Sequence, residues 1–72
     1  MSRTTENIIR IVQAGGNMNV NGERMTTENM IRIAMAAVKS GSTITFMGLG
    51  KHTTENLIRI VKAGGKNVIV QD

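Results

Sequence analysis

Apolar positions along the 72-residue chain follow two rhythms that take turns. In the first, apolar residues cluster at helical spacing: Ile8, Ile9, Ile11 and Val12, then Met30, Ile31, Ile33 and Ala34, then Leu57, Ile58, Ile60 and Val61. At about 100° per residue each cluster covers an arc of roughly 160°, and in the first Glu6, Arg10 and Gln13 fall opposite it. Each cluster therefore predicts an amphipathic helix. Glycines follow every one, at Gly15-Gly16, Gly41 and Gly64-Gly65, where a left-handed residue closes a helix. The second rhythm begins there. NMNVN, STITFM and KNVIV are short alternating segments, the signature of strands with two unlike faces. Alternation puts Met18, Val20, Ile44, Phe46 and Ile69 on one face as the seat for the helices. Asn17, Asn19, Asn21, Thr43, Thr45, Met47, Val68 and Val70 then occupy the other.

The polar residues before each helix are the same three times over: Thr4-Thr5-Glu6-Asn7, Thr26-Thr27-Glu28-Asn29 and Thr53-Thr54-Glu55-Asn56. The chain is thus one small domain, residues 1–72, with internal repeats at about 4–21, 26–47 and 53–70. The middle copy is longer by four residues near Met35 to Ala37, about one helical turn. An insertion of that size lengthens a helix without turning its buried face away. Three tandem helix-strand units predict an α/β fold with a small three-stranded parallel sheet and helices mainly on one face. The order 1-2-3 fits the face assignment. Order 1-3-2 stays open, because the third strand is apolar on both faces.

Local chemistry explains the repeated polar residues. Thr4, Thr26 and Thr53 are placed as N-caps, and Glu6, Glu28 and Glu55 fall near the positive helix ends. Asn7, Asn29 and Asn56 are placed to accept from the N–H of the cap residue. Arg10, Arg32 and Arg59 each follow a glutamate by four positions, which predicts three ion pairs along the helix faces.

Composition changes the picture in one respect. The chain has no cysteine, tryptophan or tyrosine, and Phe46 is its one aromatic. A core this small, without disulfides or metal knuckles, gains most simply from self-association. The bare face of a parallel sheet argues the same way. A homo-oligomer is expected, a two-fold dimer first, either face to face through a patch of Met47, Val68 and Val70 or by pairing edge strands. His52 is the single histidine, so no histidine metal cluster forms within one chain, and no Ser-His-acid or Cys-His set has supporting spacing. No cofactor or catalytic set is expected. The first residues lack the uninterrupted apolar run of a signal peptide, and no apolar run approaches the roughly 18 residues of a membrane span. Cytoplasm is the expected compartment.

The formal charge is +4, from nine basic and five acidic residues. The best ligand-site candidate is the glycine-rich turn into the third helix, Gly48, Gly50, Lys51, His52 and Thr53, with Arg24 in the neighbouring loop. Backbone N–H groups and a lysine at a helix start suit a phosphate or carboxylate. The Walker spacing is absent, and so is the third glycine of a dinucleotide fingerprint. Sheet-based readers of single-stranded nucleic acid stack bases on aromatics, and this chain has none on its open face. The sequence therefore predicts a small, non-enzymatic, self-associating protein-interaction module. The alternatives are a binder of nucleic acid or another polyanion through its basic loops, and a binder of a small phosphorylated ligand at Gly48–Thr53.

Overall fold

The computed structural model describes residues 4–71. Its elements run α1 (Thr5–Gln13), β1 (Met18–Asn21), α2 (Thr27–Ser40), β2 (Ile44–Met47), α3 (Thr54–Gly64), a 3-10 turn (Gly65–Asn67) and β3 (Val68–Val70). The strands form one parallel sheet in the order β1-β2-β3, and the helices form a layer on one face. In that layer α2 packs against both α1 and α3.

Each helix starts at its repeated threonine. Oγ1 of Thr4, Thr26 and Thr53 accepts the N–H of Asn7, Asn29 and Asn56 at 3.2, 3.1 and 3.2 Å. A cap of this kind satisfies one of the donors that an α-helix leaves unpaired in its first turn. At 14 residues α2 is the longest helix, as the extra turn predicts, and Gly41 closes it with φ +76°. Helix α3 runs through Gly64 instead of stopping before it. The reason is steric: a Cβ on Gly64 would run into Val68, so the glycine lets the helix end lie directly on β3.

The core lies between the two layers. Val20, Ile44, Phe46 and Val68 from the sheet meet Ile8, Val12, Met30, Ile33, Ala37 and Ile60 from the helices, all buried. The register Met18–Ile44–Val68 and Val20–Phe46–Val70 corrects the faces expected for the third strand. Val68 is buried among the helices and Val70 packs half-buried against the same core, while Ile69 faces outward beside Thr45. In VIV every position is apolar, so alternation carries no parity there. The 3-10 turn after Gly64 sets it, and a one-residue shift exchanges the faces of a strand. Of the expected patch only Met47 is exposed on the open face, and Ile69 takes the place given to Val68 and Val70. Among the described residues no helix is long and apolar enough to cross a membrane.

Candidate functional site

The turn from β2 into α3 is built around a buried side chain. Gly48 adopts φ +71° and Leu49 turns inward, 1% exposed, to join the core from a loop. Polar groups of the turn then tie it to the loop between β1 and α2. His52 Nε2 lies 2.8 Å from the Gly22 carbonyl, which can only accept, so the ring donates from that nitrogen. The same carbonyl also accepts the Met25 N–H at 3.1 Å, and Gly22 donates its own N–H to the Met47 carbonyl at 2.8 Å. Lys51 Nζ stands 3.4 Å from Glu23 Oε2, in solvent. Thr53 Oγ1 is taken up by its capping bond. Gly50 and Arg24 remain exposed. Of the six residues proposed for an anion, His52, Lys51 and Thr53 thus meet groups of the protein itself. The turn joins two loops as much as it opens toward solvent.

On the helix layer the ion pairs run between helices, which corrects the expectation of pairs within each one. Arg32 Nη1 reaches Glu6 Oε2 at 3.3 Å, and Arg59 Nη2 reaches Glu28 Oε2 at 3.6 Å. The cause lies in the repeat. Three parallel helices in step carry glutamate and arginine on the outer surface, offset by roughly 40° because four residues slightly exceed one turn. Glu6 and Glu28 therefore lean toward the following helix, and Arg32 and Arg59 toward the preceding one. The asparagines differ from expectation for the same reason. Oδ1 of Asn29 and Asn56 accepts from Arg32 and Arg59 at 3.2 and 3.4 Å, instead of reaching back to the cap residue. A charged donor three positions along the same face is the stronger partner.

Every helix thus has a forward flank and a backward flank. Ile9 and Gln13 of α1 meet Arg32 and Ala36 of α2 along an open groove of about 270 Å³. By position after the cap, the forward flank is Ile9, Ile31 or Ile58 with Val12, Ala34 or Val61. In the first two units the next helix covers it: Ile9 and Ile31 are half-buried, and Val12 and Ala34 are fully buried. In the third unit Ile58 is 49% and Val61 38% exposed. The backward flank shows the converse. Ile33 and Ile60, on helices with a helix before them, are fully buried, while Ile11 of α1 is only half-buried. Ala36 is buried, and its counterpart Ala14 is exposed. Charge follows the same rule. Within the repeated glutamate and arginine positions, Glu6, Glu28, Arg32 and Arg59 are paired, and Arg10 and Glu55, one at each end of the layer, are not.

The repeated residues alone do not single out these two end flanks. The signal was present: in any linear array the first and last units each keep one uncovered flank. No protein family, curated protein or solved structure matches the chain. Fold and surface together define a small α/β repeat protein of three helix-strand units.

Proposed function

We propose that the chain is a self-associating interaction module without catalytic activity of its own. One observation carries this reading. Ile58 and Val61 stand in solvent on α3, at positions whose counterparts in the other two units are covered by a neighbouring helix. Exposed apolar groups of this size on a folded surface favour a partner, because covering them removes apolar area from water. The open sheet face adds Met47 and Ile69, each at least two-fifths exposed. Sedimentation equilibrium at micromolar concentration tests the reading. An average mass above that of one chain, rising with concentration, supports it, and a well-folded monomer throughout the range overturns it.

A further inference from the structure

We infer that the chain associates with copies of itself head to tail, the forward flank of α3 in one copy docking on the backward flank of α1 in the next. This rests on the self-association proposed above and states its geometry. The template is inside the molecule, where the same junction is made twice, from α1 to α2 and from α2 to α3. A third junction of the same kind has all its parts. Ile58 and Val61 on α3 supply the forward apolar positions, and Ile11 with the small exposed Ala14 on α1 supplies the backward ones. Glu55 at one end and Arg10 at the other complete the ladder in which Glu6 holds Arg32 and Glu28 holds Arg59.

The sheet edges agree in register. In a parallel sheet a residue directs its N–H and C=O to the same side, and successive residues alternate sides. Met18 and Gly22 donate to β2, so Asn19 and Asn21 turn their backbone groups outward on the β1 edge. Gln71 donates to Phe46, so Val68 and Val70 do the same on the β3 edge. Setting Val68 beside Met18 of the next copy repeats the alignment of Met18 with Ile44 and of Ile44 with Val68. Sheet and helix layer then continue together across the junction. Because the two surfaces differ, the contact is heterologous and each copy keeps a free end, so the assembly closes into a ring or extends as a filament.

Two variants with opposite ends blocked test this geometry. Glu55→Arg with Ile58→Lys blocks the tail, and Arg10→Glu with Ala14→Lys blocks the head. Far-UV circular dichroism checks that each keeps its fold. The expected result is that the unaltered chain sediments as species heavier than a dimer, each variant alone stays a monomer, and an equimolar mixture stops at a one-to-one heterodimer. Should a double variant unfold, the single reversals Arg10→Glu and Glu55→Arg serve instead, both at exposed positions. Each alone raises the concentration needed for assembly by about threefold or more, and mixing the two restores assembly because every junction again joins opposite charges. A closed dimer that ignores all these substitutions overturns the head-to-tail geometry and leaves self-association standing. A chain that remains monomeric before any substitution overturns both.

Discussion

Arg32 on α2 pairs with Glu6 on α1, twenty-six positions earlier in the chain, and not with Glu28 four positions away on its own helix. The pair is a tie between repeats. Both side chains are at least half exposed, so solvent screens it heavily. Replacing Glu6 and Arg32 by alanine, singly and together, is expected to give a coupling energy of about 0.2–1 kcal/mol. The coupling should fall toward zero in 1 M salt, where the screening length is about 3 Å. A coupling of the same size between Glu28 and Arg32 would contradict the inter-helix assignment.

Gly64 and Gly50 make a matched pair for a second experiment. Alanine at Gly64 pushes a methyl group into Val68 and close to Ala34, so a loss of about 1–3 kcal/mol is expected. Alanine at Gly50 meets nothing within 4 Å, and its effect should stay within about 0.5 kcal/mol. Urea unfolding read as a midpoint shift at constant slope separates the two. Equal effects would mean that the helix end does not rest on β3.

Leu49 lies in a turn but behaves as a core residue. Leu49→Ala should cost about 2–5 kcal/mol, enough to unfold much of so small a protein at room temperature. Leu49→Met keeps the volume and should cost less than about 1.5 kcal/mol. Thermal melts of the two variants decide this, and a harmless alanine would show that the turn is not anchored.

The imidazole of His52 joins the two loops at the C-terminal ends of β1 and β2. Removing it as His52→Ala should cost about 0.5–1.5 kcal/mol. The Gly22 carbonyl keeps its bond from Met25, so no buried acceptor is orphaned. Hydrogen exchange offers a sharper readout. The backbone amides of Met25 and of position 52 should exchange faster in the variant, while those of β1 and β2 keep their protection. Unchanged exchange in both loops would remove the histidine from this role.

Much of this architecture was legible because it rests on features with a strong local cause. Helix starts followed from Thr4, Thr26 and Thr53, whose hydroxyls need only three neighbouring residues to act as caps. Element order and the helix-covered faces of β1 and β2 followed from periods that differ visibly between helix and strand. Three features were not legible. The parity of Val68, Ile69 and Val70 depends on a 3-10 turn that the apolar run does not encode. Inward burial of Leu49 depends on the shape of a turn between two glycines. The partners of Arg32 and Arg59 depend on how closely the helices lie side by side, which no single repeat can state. In the candidate ligand turn, Lys51, His52 and Thr53 are adjacent in the sequence, but their bonds to Glu23, Gly22 and Asn56 depend on tertiary placement or capping, which the turn's own residues do not encode.

Parallel helices in one layer carry an electrical consequence. Each helix holds roughly half a positive charge at its N-terminus and half a negative charge at its C-terminus, and side-by-side alignment sets like ends together. Glu6, Glu28 and Glu55 occupy the first turns, and Lys39 and Lys62 occupy the last turns of α2 and α3. The side chains therefore offset, unit by unit, the repulsion that stacking equal dipoles accumulates. A helix laid beside α3 by another copy would bring its own counter-charge at Glu6, and lengthening the row would add little to the total field.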